Sequence, residues 1–361
     1  NKWINVFLVV FSIVKISNKW YIHNGGSMKK YKVIVTILIL LICIISLLNV
    51  PIIKKIYVNK NVESDKKEIE LSINKWIEIP TYDKHNEVTH PKVLYFPEKV
   101  NGYHYYMVST PYHNNNTYIE NPSITVSNDG IKFIEPKGIN NPVSGFPSKE
   151  KNDTYYSDPF IMYDDNKFKL FYRYTKSYEN GKYIRNGYNY LYYRESTDGI
   201  NFSDEKIILD NNFKERYMSP SVVKNNDVYK IWYTNYDCKL RYIESTDLSS
   251  FSKPVIVNIK NFNKGIWHSE IQYVDNTYHL VFMTRNNYLY YSSSKDGLNF
   301  MEPKLIKSSL KELQGSKYYI YKTSYIINDN TIELYIPYRV NGIWKMYYKL
   351  YNINDFYNSL E

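Results

Sequence analysis

Cysteine is nearly absent. The 361-residue chain has two, Cys43 and Cys238, and Cys43 lies inside an apolar run, so no intrachain disulfide staples the region beyond it. Export is not excluded, because a large domain buries enough core to fold without one. Glycine is also scarce, at 13 residues. No phosphate-binding Gly-rich loop, no Gly-x-Ser-x-Gly elbow and no Cys/His zinc spacing occurs. No cofactor and no metal is therefore expected. Acidic residues are missing altogether from 1–55, which holds eight Lys. The remainder carries 38 basic residues against 36 acidic ones, so most of the formal charge of +10 sits at one end. The nearly neutral remainder argues against a nucleic-acid partner.

One long hydrophobic run is present. Residues 33–53 form an uncharged 21-residue stretch, and a helix rising about 1.5 Å per residue spans a bilayer core of roughly 30 Å with that length. Lys29, Lys30 and Lys32 precede it and Lys54 and Lys55 follow; the upstream cluster favours a cytoplasmic N-terminal side. No A-x-A-like site ends the run, and no lipobox surrounds Cys43. The pattern predicts a signal anchor over 28–55, a polar stalk over 56–75 and a single-pass membrane protein with its main domain outside. Met28 followed by Lys29 and Lys30 resembles a translation start, with Gly25 and Gly26 just upstream. Residues 1–27 are accordingly read as upstream leader rather than native protein.

Tyrosine is abundant, at 41 residues, and much of it lies in a repeat. The motif Ser-x-Asp-x-x-x-Phe occurs at Ser127/Asp129/Phe133, Ser196/Asp198/Phe202, Ser245/Asp247/Phe251 and Ser294/Asp296/Phe300. Its Asp residues are spaced 69, 49 and 49 apart. Asp-Gly between apolar runs is a hairpin signal, because Gly accepts the positive φ of a tight turn. An aromatic strand precedes each of the last three turns (190–194, 240–243, 288–291), and a further strand pair precedes each of those. Units of this length with four antiparallel strands predict an all-β chain over 76–361, a five-bladed β-propeller. Aromatic residues suit both its strands and the gaps between its blades.

The first strand of each unit begins with a polar residue at an equivalent place: His90, Asp158, Ser219, His268 and Lys322. In a propeller these converge on the central funnel. Glu270, two residues past His268, points the same way on a strand of period two. Second strands return to that face at Arg173, Thr234, Arg285 and Arg339. Three guanidinium groups around one funnel would suit an anionic group.

These motifs resemble the five-bladed propeller glycosidases: glycoside hydrolase family 43, the invertase-like families and the mannoside phosphorylases. The resemblance covers about 76–361. It implies carbohydrate as partner and a carboxylate triad on the inner strands of the first three blades, where this sequence has His90, Asp158 and Ser219. Asp158 matches the second-blade Asp that supports transition-state charge. Glycoside cleavage needs one protonated and one ionised carboxyl. The expected catalytic set is Asp158, Glu270 and His268, with His90, Ser219, Trp267, Arg173, Arg285, Lys322 and Arg339 contacting substrate. A monomeric glycoside hydrolase is expected. The alternatives are a glycan-binding propeller without catalysis, and a phosphorylase- or sialidase-like enzyme for an anionic ligand.

Overall fold

The computed structural model describes residues 74–146, 154–179, 182–210, 214–306 and 319–360. The expected leader, the anchor and nearly all of the stalk lie outside these. Among the described residues no helix is long and apolar enough to cross a membrane.

The described fold is all-β. After β1 (Lys75–Ile77), the first antiparallel sheet comprises β2 (Val88–Val100), β3 (Tyr103–Pro111) and β4 (Ser123–Ser127). The second comprises β5 (Thr154–Asp164), β6 (Lys167–Glu179), β7 (Lys182–Ser196) and β8 (Lys206–Leu209). The third comprises β9 (Met218–Asn225), β10 (Val228–Thr234), β11 (Leu240–Ser245) and β12 (Val255–Ile256). Next comes the short β13 (Asn258–Ile259). The fourth sheet is built from β14 (Ile266–Val274), β15 (Thr277–Thr284) and β16 (Leu289–Ser294). Then β17 (Asn299–Phe300) pairs in parallel with β13, and β18 (Lys304–Leu305) completes the fourth sheet against β16. The fifth sheet contains β19 (Tyr319–Ile320), β20 (Ser324–Ile327), β21 (Thr331–Val340) and β22 (Ile343–Asn352). A single-turn-scale helix, α1 (Ile353–Asn358), follows.

The strand count departs from four per unit at the two ends. The first sheet has three strands, and the fifth gains β1, which pairs with β22 in the register Lys75↔Tyr348 and Ile77↔Met346. The chain's first described strand thus covers the outer edge of its last sheet, an edge that would otherwise be open to pairing.

The repeated turn explains its own sequence. In the second sheet, Asp198 Oδ1 accepts from the backbone N–H of Ile200 at 2.8 Å and of Asn201 at 2.7 Å, while Ser196 Oγ donates to Asp198 and accepts from the Gly199 N–H. The other three copies make the same bonds. The residue after Asp adopts positive φ in every copy: Gly130, Gly199, Gly297 and also Leu248, at 56°. Leu248 departs from the Gly rule because its side chain is buried in the cluster between the second and third sheets.

Each turn packs onto the preceding sheet. Trp232 Nε1 of the third sheet donates to Gly297 O of the fourth at 2.8 Å, and Tyr335 Oη of the fifth donates to Gly130 O of the first at 3.0 Å. Five apolar clusters fill the spaces between neighbouring sheets, including one that joins Met107 and Phe133 of the first to Tyr335 and Met346 of the fifth. Among the described residues the series of sheets therefore has no open end. Aromatic rings dominate these spaces, and many buried phenols bond across them, as Tyr325 Oη does to His279 O at 2.6 Å. Tyrosine supplies area together with a satisfied polar tip.

Gly297 has φ +76°, and a Cβ there would lie 2.8 Å from Trp232 Cζ2. Gly297→Ala is expected to cost about 1–3 kcal/mol through backbone strain and displaced packing, measured as a lowered denaturant midpoint. An unchanged midpoint would show that this turn does not hold the two sheets together.

Candidate functional site

Three inner strands open in the same unusual way. His90 (φ 52°), Asp158 (φ 51°) and Ser219 (φ 50°) occupy the left-handed region without being glycine. Each precedes a proline: Pro91, Pro159 and Pro220. Ladder pairing is interrupted there, between Thr89 and Lys92 in β2 and between Ser157 and Phe160 in β5, with a matching irregularity in the β9–β10 ladder. Proline carries no N–H to be orphaned in such a gap. Each left-handed residue costs on the order of 1–3 kcal/mol and persists only where the surroundings hold it. β14 has its own irregularity between Ile266 and His268.

These bulges bring His90, Asp158, Ser219 and His268 together. Both Arg173 Nε and Nη2 donate to Asp158 Oδ2 at 2.8 Å. The other oxygen, Oδ1, is 3.4 Å from His90 Nε2, 3.4 Å from His268 Nδ1 and 3.2 Å from Ser219 Oγ. Ser219 Oγ also lies 2.7 Å from His268 Nδ1. His90 Nδ1 is backed by Thr110 Oγ1 at 3.0 Å. The Tyr321 ring covers both imidazoles, with centroids 4.8 Å from His90 and 4.4 Å from His268.

Burial works against the Asp158 charge, but His90, Arg173 and His268 outweigh it and hold the carboxyl well below the usual range. Burial pushes His90 far down and His268 down, despite Asp158. Asp158 is thus ionised, and burial drives the two imidazoles beside it toward the neutral form.

A second layer lies two residues further along the inner strands. Lys92 Nζ is 3.0 Å from Glu270 Oε1, which also accepts from Ser324 Oγ at 3.2 Å and from Gln272 Nε2 at 2.8 Å. Glu270 is thus set against Lys92 rather than beside Asp158. Lys322 is buried and donates to Pro159 O at 3.0 Å; burial lowers it to about 8. Trp267 stands edge-on to His268, with centroids 5.4 Å apart. Arg285 is exposed over the Trp267 ring at 4.7 Å, and Arg339 donates to Gly342 O in its own hairpin.

Two contributors were not legible in the repeat. Glu120 is 3% exposed, and its Oε1 is 3.9 Å from His90 Nδ1. Burial and then Asp158 push its carboxyl up to about 8. It comes from the connection between β3 and β4, which no other unit matches. Arg216 lies over both Tyr236 and Trp267. It precedes the inner strand of its sheet, where the repeat carries no marker.

His90, Asp158 and His268 each offer a ligand atom, all within 4.8 Å of one another. The donor set fits a divalent cation: two neutral imidazoles and a carboxylate. His268 Nε2 is buried and has no hydrogen-bond partner. No spacing along the chain marks this set, because its members come from three different sheets.

The fold is that of the propeller glycosidases resembling glycoside hydrolase family 43. Structures sharing it include an exo-β-1,3-galactanase from Phanerochaete chrysosporium in complex with β-1,3-galactotriose (TM-score 0.55, 7% identity, covering 80% of this chain and 66% of that one). Another is a family 43 β-xylosidase/α-arabinofuranosidase from a compost metagenome in complex with xylotriose (TM-score 0.50, 12% identity, covering 78% and 95%). An N-acetylgalactosamine deacetylase from Flavonifractor plautii, bound to blood group B trisaccharide, superposes with TM-score 0.66 at 20% identity, covering 80% of this chain and 97% of that one. In sequence, an A type blood N-acetyl-α-D-galactosamine deacetylase of F. plautii is 44% identical over 62 residues, which are 17% of this chain and 8% of that protein's length. No protein-family model matches the chain.

Glu120 supplies a test of the site's electrostatics. Its folded pKa of about 8 stands above the ordinary 4.5, so the folded state holds an extra proton between those values. Stability from this group is complete below about pH 4.5 and is lost as pH rises through 8. Glu120→Gln should flatten the fall in melting temperature between about pH 5 and pH 9. Parallel curves for the two proteins would place the Glu120 carboxyl outside this account.

Proposed function

We propose that the chain is a carbohydrate-active hydrolase whose five sheets are the blades of a closed propeller. Of the reactions open to it, hydrolytic removal of an N-acyl group from an amino sugar fits best. The observation that carries this reading is the buried His90–Asp158–His268 set with its unpartnered His268 Nε2. The local sequence likeness to a deacetylase supports it.

A divalent cation held by those three residues would supply Lewis-acid polarisation of the acyl oxygen. The chain's own residues do the rest. Arg173 fixes Asp158 and keeps it ionised. Asp158 and Ser219 orient the His268 ring through Nδ1, leaving Nε2 directed away from them. Glu120, protonated at neutral pH beside His90, holds a proton for the leaving group. Tyr321 shields both imidazoles from water.

Glycoside hydrolysis is the second reading. It is favoured by one observation: Asp158 and Glu120 are neighbouring carboxyls pushed to opposite protonation states, the division of labour that glycosidases need. Glu270, engaged by Lys92, fits that role less well. Attachment through a membrane segment at 28–55, with the propeller outside the cell, belongs to the same proposal. It rests on the apolar run and its flanking lysines.

The test offers the purified chain N-acetylated oligosaccharides and chromogenic glycosides, scoring acetate and reducing sugar separately. Acetate release should disappear with a chelator and return with a divalent cation. His268→Asn should lower it by about 10²–10⁴-fold with the fold intact by circular dichroism. Reducing sugar without acetate would establish the second reading, and binding without either product would make the chain a glycan-binding propeller.

A further inference from the structure

Most described arginines have an acceptor. Arg173 bonds Asp158, Arg241 bonds Asp237 at 2.7 Å, Arg194 bonds three backbone carbonyls and Arg339 bonds Gly342 O. Arg216 and Arg285 do not: among the described residues neither guanidinium has a hydrogen-bond or carboxylate partner. Both lie over one ring, Trp267, at 5.0 Å and 4.7 Å. Arg216 also lies 5.7 Å from the Tyr236 ring.

Stacking fixes a guanidinium while leaving its N–H edge available, and that edge matches an oxyanion in bidentate fashion. The position is tied to the site, because Trp267 precedes His268 and touches it edge to face. The surrounding charge is one-sided. Asp158 is already engaged by Arg173, and the Lys322 ammonium is close enough to act on His268. Burial and then the nearby Arg173 push the Arg216 pKa down.

We propose that Arg216, Trp267 and Arg285 form a subsite for an anionic substituent of the sugar, a carboxylate, sulfate or phosphate, at the edge of the His90–Asp158–His268 group. This rests on the carbohydrate reading and narrows it: the preferred substrate is an acidic glycan rather than a neutral one. It also makes Trp267 a platform for the two guanidinium groups rather than an open face for a sugar ring.

The test titrates the full chain calorimetrically with N-acetylglucosamine, its 6-sulfate, its 6-phosphate, glucuronic acid, and sodium sulfate alone. At least one charged sugar should bind about 10-fold more tightly than the neutral parent, an advantage that shrinks as salt shortens the Debye length. The three charged sugars separate sulfate, phosphate and carboxylate as the source. Arg285→Gln, at an exposed position, should bring the charged sugars to within about 2-fold of the neutral one. Arg216→Lys, which keeps the charge and loses the fork, should do so in part. Equal binding of charged and neutral sugars, or an equal loss of both in Arg285→Gln, overturns the subsite and leaves the carbohydrate reading standing. Sulfate binding that Arg285→Gln removes, with no sugar bound, upholds the anion site and overturns the carbohydrate reading. No binding of any ligand overturns both.

Discussion

The site depends on how Arg173 holds Asp158. Both donors go to one oxygen, Oδ2, so Oδ1 is left to face His90, His268 and Ser219. A carboxylate buried without that guanidinium would take up a proton, and both imidazoles would lose the charge that orients them. Such a buried pair is costly to assemble, and removing either partner typically costs about 3–5 kcal/mol because the other charge is left uncompensated. Arg173 is itself held by Thr175 and Asn189. The chemistry of the centre is therefore set from the second sheet outward.

The rest of the fold brings the other groups to that carboxylate. Ser-x-Asp turns follow the third strand of the first four sheets, and aromatic rings between sheets fix their mutual positions. Pro-coupled bulges in three successive inner strands aim His90, Asp158 and Ser219 at one point. The strain sits where the candidate chemistry is, the usual place for backbone held off its preferred region. Beneath it, Lys92 and Glu270 pair with each other and close the layer, which sets Glu270 apart from the imidazoles and the carboxylate above.

Much of this was legible in the sequence because it repeats. The four turns, the inner strands and the polar column from His90 to Lys322 follow from period and spacing. The all-β architecture follows from the same pattern. What did not repeat could not be read. Glu120 enters from a connection found in the first unit only, and β1 crosses to the last sheet on contacts that no local pattern encodes. The direction of Glu270 followed from strand alternation, but its pairing with Lys92 depends on which strand lies opposite, a matter of tertiary packing. The His/Asp/His set carries no metal-ligand spacing because its members are far apart along the chain. Here three sheets each contribute one.

The central claim is that an ionised Asp158 and two neutral imidazoles form a cation-competent centre. Anomalous diffraction from crystals of the chain soaked in manganese or zinc tests it most directly. The account predicts a peak bounded by His90, Asp158 and His268, with Arg173 still on Asp158 Oδ2. Crystals that take up the ion elsewhere, or that leave His268 closed on Ser219 and Asp158 at saturating metal, would contradict it.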